Sequence, residues 1–387
     1  MNLEELIAEL NANIFLKEFS FSKNNFTPKG SSELELADHV IWLDDLMIVY
    51  QVKERTGEKS SVNSEKQWFE KKILQKAKNQ IRDIVVYFKK YEDEIIIPNQ
   101  RGHIFNMKFN QIKIFIKIII HLSNKLLPEY YKNKKYYLSS QEAGFVHIVS
   151  GNDYLNICQK LLTPREIGDY FIYRQDLLIK HTHNAENLPE GAIVGQFLSG
   201  EDANFPPSKK FLEYLYRLIN DRDNFSISGI LENFSQRIEY INSNEKNSEY
   251  AYYSIIGEFA KLRRTNLQEV KTRIKLCLEA CDSDEFELPY RIVVPETSCG
   301  FVFIPLQHEQ KDHRLIWLHN LTYAAKYDQK IRHCIGITFV KEQEDYLMDW
   351  CFLDNDWQYD SAIEESLKNY YPFRPLEAKL IPSYQFK

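Results

Sequence analysis

An acid, an amide and a lysine within one short segment have the residue types and the spacing of a hydrolytic site. Asp38 comes before the dipeptide Asp44-Asp45, and Gln51 and Lys53 come after it. If Asp44-Asp45 is a two-residue turn between two strands, Asp38 lies directly opposite Gln51. Because side chains alternate along a strand, Gln51 and Lys53 project to the same face. The spacing therefore predicts that a carboxylate, an amide oxygen and an ammonium group lie together.

The predicted cluster has oxygen atoms that suit a hard divalent cation. Mg²⁺ prefers oxygen ligands and keeps several waters, and Asp38, the Gln51 side-chain oxygen and the Val52 carbonyl could supply three oxygens. Lys53 could then orient or deprotonate a water on the metal and offset the charge that develops on a phosphate. This chemistry is metal-assisted phosphodiester hydrolysis. The alternative is a surface hairpin whose Gln51 and Lys53 face solvent.

A third acidic ligand would come from outside the hairpin. Apolar residues in Leu3–Leu16 recur at a helical spacing, and this predicted helix has Glu5 and Glu9 one turn apart. Glu9 is our choice for the third ligand. Glu35 is the competitor, although alternation from Asp38 points it to the opposite face.

The elements around the hairpin predict a mixed α/β fold. Hydrophobic periodicity indicates the order helix, hairpin, helix, strand, strand, helix. The predicted segments are the helix Leu3–Leu16, the strands Leu34–Leu43 and Leu46–Lys53, the helix Glu65–Tyr91, the strands Lys113–His121 and Gly144–Val149, the helix Tyr154–Leu162 and a further helix after Thr163-Pro164.

This combination of elements and residues resembles a known superfamily. Asp38, a strand-turn-strand and then Gln51-Val52-Lys53 resemble the PD-(D/E)xK restriction-endonuclease-like superfamily, and above all its Mrr-type variant, in which Gln replaces an acid. The chain departs from the family pattern because no Pro precedes Asp38. The resemblance covers about residues 1–180 and implies a restriction-endonuclease-like mixed sheet flanked by helices.

In function, the resemblance implies a Mg²⁺- or Mn²⁺-dependent DNA endonuclease with a role in restriction or antiviral defence. Two alternatives stay open. The first is an RNA nuclease. The second is a degenerate nuclease fold that serves as a nucleic-acid or protein binding platform, which the neutral Gln51 favours because an amide is a weaker metal ligand than a carboxylate. The candidate catalytic residues are Asp38, Gln51, Lys53 and Glu9, and the candidate metal ligands are Asp38, Gln51 and the Val52 carbonyl.

Positive charge is concentrated between residues 65 and 140. This segment has sixteen Lys and Arg residues against seven acidic ones, whereas the whole chain has a net charge of −6. Basic and aromatic residues are also interleaved in Tyr130–Tyr137. Such a surface suits a phosphate backbone, and the alternative is a solvated face. The residues that we expect to contact nucleic acid are Lys71, Lys72, Lys76, Lys78 and Arg82.

The length of 387 residues favours two domains. Residues 181–207 are rich in Gly, Pro, Asn and Asp and are predicted to be a linker between a nuclease-like domain, 1–180, and a second domain, 208–387. The second domain is predicted to be α+β, with a mostly helical stretch in Phe211–Leu278, and its role would be sensing, partner binding or oligomerisation. Its predicted strands are Arg291–Val294, Gly300–Ile304, Ile335–Val340 and Tyr346–Leu353.

Several other classes are excluded by composition and motifs. The acidic N-terminal segment is unlike a signal peptide, and the longest apolar run, Ile112–Leu122, is too short and too charged to span a bilayer. The six cysteines form no Cys-x-x-Cys pair, and neither a P-loop nor a Gly-x-Ser-x-Gly motif occurs. We therefore expect a cytoplasmic protein with reduced thiols and no membrane partner. The expected partners are nucleic acid, above all DNA, and either a second copy of the chain or a defence-system protein.

Overall fold

The chain forms two compact units. The structure, a computed structural model, describes residues 2–57, 61–138, 143–219, 238–242, 252–283 and 286–375. One unit contains Met1–Asn220 and the other spans Asp221–Pro382. Each has a mixed β-sheet with helices packed against it, so the predicted mixed α/β class is confirmed.

The first unit has long central strands and several short ones. They are β1 (Ser20–Phe21), β2 (Asn25–Phe26), β3 (Leu34–Glu35), β4 (His39–Leu43), β5 (Leu46–Glu54), β6 (Ile96–Pro98), β7 (Ile104–Asn106), β8 (Ile114–Leu122), β9 (Tyr136–Leu138) and β10 (Phe145–Ser150).

The main sheet of this unit has the order β1-β4-β5-β8-β10-β9. β4 and β5 form an antiparallel hairpin, while β5, β8 and β10 run parallel. The hairpin turns at Asp44-Asp45, as predicted, with Leu43 opposite Leu46. Asp44 lies in the left-handed region at φ 54°, which Asp tolerates better than most residues. The predicted strand Leu34–Leu43 is divided, because β3 pairs with β2 outside the main sheet.

Helices cover both faces of this sheet. A π-helical stretch, Phe69–Ala77, joins α2 to α3, so residues 62–90 form the long helix that the sequence predicts. The helices of the first unit are α1 (Leu3–Ile14), α2 (Val62–Trp68), α3 (Lys78–Lys90), α4 (Glu129–Lys132), α5 (Gly151–Lys160), α6 (Pro164–Lys180), α7 (Thr182–Glu186), α8 (Glu190–Leu198) and α9 (Phe211–Ile219).

Alternation along β5 divides the core of the first unit into two layers. Even-numbered residues such as Tyr50 pack with α1, α5, α6 and α8. Odd-numbered residues such as Val49 pack with Phe69 and its neighbours on the long helix. Gln51 and Lys53 are odd-numbered, so they project to the same face of the sheet as the basic helix.

Residues 181–207 are part of the first unit and add buried side chains to its core, which corrects the predicted linker. α7 and α8 lie in this segment, and Ile193 is fully buried against the sheet. The glycines that suggested a linker have a packing role instead. A Cβ at Gly195 would overlap the Phe211 carbonyl oxygen, so glycine lets α8 and α9 touch. The boundary between the units falls after Asn220.

The second unit is built on a five-stranded mixed sheet. Its strands are β11 (Ile238–Asn242), β12 (Tyr290–Val294), β13 (Cys299–Leu306), β14 (His333–Glu342) and β15 (Asp345–Asp354). The described helices are α10 (Tyr253–Ala260), α11 (Arg264–Ser283), α12 (Arg314–Gln329) and α13 (Ser361–Asn369). The sheet order is β11-β15-β14-β13-β12. The four predicted strands correspond to β12–β15, whereas β11 lies in a stretch that was predicted to be mostly helical.

The six cysteine side chains are free and buried, in agreement with the predicted reduced thiols. Among the described residues, no helix has both the length and the apolar character needed to cross a membrane.

Candidate active site at the end of strand β5

The hairpin brings Asp38 beside Gln51, as the sequence predicts. His39 pairs with Tyr50, and Asp38 precedes this pair by one residue. Asp38 Oδ2 accepts a hydrogen bond from the Val52 N–H, with 2.6 Å between the two heavy atoms. Asp38 is 6% and Gln51 2% exposed, so two polar side chains are buried at one end of the sheet. Groups buried in this way need partners.

Lys53 places its ammonium group between three oxygen atoms. The Nζ atom lies 3.1 Å from Asp38 Oδ2, 3.0 Å from Gln51 Oε1 and 2.9 Å from the Val52 carbonyl oxygen. These are the three oxygens that the sequence predicts as metal ligands. Because all three are within hydrogen-bond distance of one cationic atom, the hairpin already arranges them around a common point.

Two hydrogen bonds to the hairpin hold the first turn of α1 next to the Lys53 ammonium group and its three oxygen neighbours. The Leu3 N–H donates to Glu54 Oε2 at 3.0 Å, and the Glu4 carbonyl oxygen lies 3.1 Å from His39 Nε2. Glu54 follows Lys53 in the chain, and His39 follows Asp38. The start of α1 is therefore held by the neighbours of both charged site residues, which places Glu4 at the site.

Glu4, rather than Glu9, is the third acidic residue at the site. Burial raises the pKa of the Glu4 carboxyl, and the carboxylates of Asp38 and Glu35 raise it further, while Lys53 opposes them. Glu4 and Glu9 are both exposed, so exposure does not separate them. What separates them is that the charges of Asp38, Glu35 and Lys53 act on the Glu4 carboxyl, whereas no hydrogen bond or ion pair joins Glu9 to these residues in the described part of the chain. The physical reason is the helical rotation, since five residues separate Glu4 from Glu9 by about 140° around the axis. This corrects our choice of Glu9.

Glu35 lies near the site, although side-chain alternation from Asp38 predicts that it points to the opposite face. It ends β3, which pairs with β2 rather than with a strand of the main sheet. The direction of Glu35 therefore cannot be counted from Asp38 along one continuous strand. Its carboxylate is one of the charges that raise the pKa of Glu4.

His121, the penultimate residue of β8, is a neighbour of the site that the sequence analysis missed. It pairs with Lys53 in the parallel β5–β8 ladder, where strands lie about 4.8 Å apart. Its ring packs edge-on against Phe69, and its Nδ1 atom has no hydrogen-bond partner among the described residues. Burial lowers the pKa of His121 to about 4, so the ring is neutral near pH 7 and adds no charge beside Lys53. The sequence shows only a polar residue at the end of an apolar run, because register between parallel strands is not visible in it.

Of the five basic residues that were predicted to contact nucleic acid, two have side-chain partners in the described part of the chain and three do not. Lys78 Nζ donates to Tyr137 Oη at 3.1 Å and lies over the same ring, and Arg82 Nη2 is 3.1 Å from Asp83 Oδ1. The other three are exposed on the long helix, and none has an ion-pair partner within the described ranges. These exposed residues are Lys71, Lys72 and Lys76.

The oxygen set around Lys53 fits a Mg²⁺ or Mn²⁺ ion. The described part of the chain has no group of three or more His, Cys, Asp or Glu side chains placed to hold a metal. The set at the end of β5 consists instead of one carboxylate, one amide oxygen and one carbonyl oxygen. Hard cations accept these donors together with water, and Glu4 is a further carboxylate close by.

Comparisons of the chain with known proteins gave no match to a protein-family model, to a curated protein or to a solved structure. Function is therefore inferred from the chemistry of the site.

Proposed function

We propose that the first unit is a Mg²⁺- or Mn²⁺-dependent nuclease of the PD-(D/E)xK, restriction-endonuclease-like type, in its Mrr-like form, and that its substrate is DNA. The observation that carries the proposal is the position of Asp38 Oδ2, Gln51 Oε1 and the Val52 carbonyl oxygen around one cationic atom. Exposed lysines on the long helix also support it, because a polyanion needs positive charge near the site.

Each site residue then has a distinct task. Asp38, Gln51 and the Val52 carbonyl would hold the divalent cation, which when bound supplies Lewis acidity toward a phosphate oxygen. Lys53 offsets the negative charge that develops on the phosphate during attack. Glu4 adds a second carboxylate near Asp38, which would help to hold the divalent cation.

The position of Lys53 also favours a second candidate, a nuclease fold that binds nucleic acid or protein without cleaving it. The ammonium group already satisfies the three oxygens, and the amide of Gln51 is a weak metal ligand. The two candidates differ in whether the chain binds a divalent cation.

Removal of the Lys53 ammonium is expected to strengthen metal binding. In Lys53→Met the three oxygens lose the cation that competes with the metal. Charge-assisted hydrogen bonds are worth about 1.5–3 kcal/mol, so isothermal titration calorimetry should show Mn²⁺ bound about tenfold more tightly. Asp38→Asn should bind Mn²⁺ at least about tenfold more weakly, because it lacks the anionic ligand.

The matched control for this titration is Lys113→Met, which removes a lysine whose side chain is 81% exposed. It should bind Mn²⁺ as the wild type does. If neither the wild type nor Lys53→Met bound Mn²⁺ or Mg²⁺, the non-catalytic platform would replace the nuclease as the better candidate.

Glu4→Gln is expected to slow plasmid cleavage about 10- to 100-fold, because the cation would lose a carboxylate that lies near Asp38. Glu9→Gln is the matched control on the same helix and should cleave at the wild-type rate, since the helical rotation places Glu9 on another side of α1. Initial rates of supercoiled-plasmid cleavage with Mg²⁺ would measure both. Equal rates for the two variants would remove Glu4 from the site.

Digestion of labelled DNA and RNA side by side would identify the substrate, and exclusive cleavage of RNA would favour the RNA nuclease over the DNA enzyme. The resemblance also supports a role in restriction or antiviral defence in the cytoplasm. In that role the second unit would sense a signal, bind a partner protein or form a homo-oligomer.

A further inference from the structure

Arg55 follows the last residue of β5 and continues its row of polar side chains, since the Arg55 N–H donates to the Leu122 carbonyl oxygen of β8 at 2.9 Å. Alternation places it on the face of Lys53, about 6.6 Å further along the chain. Arg55 Nε donates to Glu65 Oε1 at 3.0 Å, and Arg55 Nη1 donates to the Thr56 carbonyl oxygen at 2.9 Å. Its side chain is 20% exposed, and Nη2 has no partner among the described residues. The guanidinium is therefore held on one side and available to a ligand on the other.

Glu65 holds this guanidinium from inside the protein. It lies on the buried stripe of the long helix, one turn before Phe69, and has no exposed surface. Arg55 satisfies one carboxylate oxygen, whereas Glu65 Oε2 is buried without a hydrogen-bond partner in the part of the chain that the structure describes. A buried carboxylate that is only half satisfied is unfavourable for folding, so stability alone is a poor reason for this pair.

We propose that Arg55 binds a phosphate of the nucleic-acid backbone next to the cleaved bond, and that Glu65 is its positioning residue. The inference rests on the proposed nuclease function. A guanidinium that is fixed at Nε and Nη1 presents its remaining N–H groups in one direction, which suits the paired oxygens of a phosphate. Lys66, which follows Glu65, is exposed and adds positive charge on the same turn of the helix.

The test measures how DNA binding depends on salt. Each phosphate contact with duplex DNA contributes about 0.9 to the slope of log K against log salt concentration, and a merely structural ion pair contributes nothing. All variants are made in the full-length chain with Asp38→Asn, so that a short labelled duplex stays intact. Binding is followed between about 50 and 200 mM NaCl.

Arg55→Gln is expected to reduce the magnitude of the slope by about 0.9 and to weaken binding about tenfold at low salt. Arg55→Lys should keep the slope but bind more weakly, because an ammonium group lacks the planar fork. Glu65→Gln should also keep the slope and bind more weakly, because the guanidinium is no longer fixed. Arg101→Gln is the matched control, since Arg101 pairs with another buried glutamate, Glu18, at 2.7 Å, and its slope should equal that of the parent.

A slope for Arg55→Gln equal to that of the parent would overturn this inference and leave the nuclease proposal standing, because the parent would still bind DNA. If the parent bound neither DNA nor RNA, the proposed function itself would fail. If Arg55→Gln did not fold, Arg55→Lys would decide, and an unchanged affinity in that variant would contradict the phosphate contact.

Discussion

Replacing Asp38 by Asn or Lys53 by Met is expected to reduce Mg²⁺-dependent cleavage of plasmid DNA by a factor on the order of 10² to 10⁴. Asp38→Asn removes the anionic oxygen of the set, so the cation is bound more weakly and is no longer held in place for attack. Lys53→Met leaves the three oxygens but removes the ammonium that would offset charge on the phosphate. Cleavage is therefore reduced in both variants, while metal binding is weakened only in Asp38→Asn.

Comparing the cleavage rate and the metal affinity of these two variants separates the role of each residue in catalysis from its role in metal binding. Single-turnover cleavage at saturating Mg²⁺ is the measurement, with thermal unfolding of each variant to show that the fold is retained. Asp44→Asn in the hairpin turn and Lys113→Met are matched controls with the same chemical changes, and both should cleave normally. Unchanged cleavage in Asp38→Asn and Lys53→Met would remove these residues from the mechanism.

Replacing Glu190 by Gln is expected to destabilise the first unit by about 3–5 kcal/mol. Glu190 is 3% exposed and lies between two buried cations. Arg174 Nε is 2.6 Å from Glu190 Oε1, and Lys135 Nζ is 3.2 Å from Glu190 Oε2. The Tyr170 hydroxyl also donates to this carboxylate. A neutral amide would leave both cations without a counter-charge in the core.

Low pH should reduce the stability that Glu190 and its two cationic partners give to the first unit. Burial by itself would raise the pKa of the Glu190 carboxyl, but Arg174 and Lys135 lower it far below its ordinary value. Since the folded-state pKa is depressed, the stabilisation is complete above the unfolded value of about 4.3 and is lost as the pH falls toward the folded-state pKa. The free energy of unfolding should thus decrease below about pH 5, and less steeply in Glu190→Gln.

Native-state hydrogen exchange in peptides from residues 164–198 would measure this free energy for the first unit separately from the second. Glu129→Gln is the control, because its carboxylate pairs with Lys132 on the surface and is 76% exposed. It should change stability by less than about 0.5 kcal/mol. A loss below about 1 kcal/mol in Glu190→Gln would contradict the expected role of the buried cluster.

Where the sequence analysis succeeded, the governing interactions are local. The turn at Asp44-Asp45 and the period of two along the strands are enough to place Asp38 beside Gln51, and the structure has this register. The long helix was also predictable, because its apolar residues recur at the helical period. The same periodicity places Glu65 on the apolar face of this helix, one turn before Phe69. It does not show which residue pairs with the Glu65 carboxylate.

Where it failed, the deciding contacts are distant in the chain. The segment 181–207 has the composition of a linker, yet Ile193 and Val194 of α8 are buried in the core against the sheet. Gly195 on the same helix allows α8 to approach Phe211 of α9 closely. The position of His121 beside Lys53 depends on the crossover between β5 and β8, which spans the whole long helix. Neither composition nor hydrophobic periodicity predicts how two helices pack or which residues of two parallel strands pair.

The sequence by itself was enough to predict that an acid, an amide and a lysine meet at the end of one hairpin. The tight turn and the alternation of side chains that bring them together lie within fewer than about twenty residues. Only the tertiary structure decided which acid joins them. The first turn of α1 is set by contacts that span 51 residues, from Leu3 to Glu54, and 35 residues, from Glu4 to His39. The rotation of a helix against a sheet depends on such long-range contacts, so Glu4 and not Glu9 borders the site.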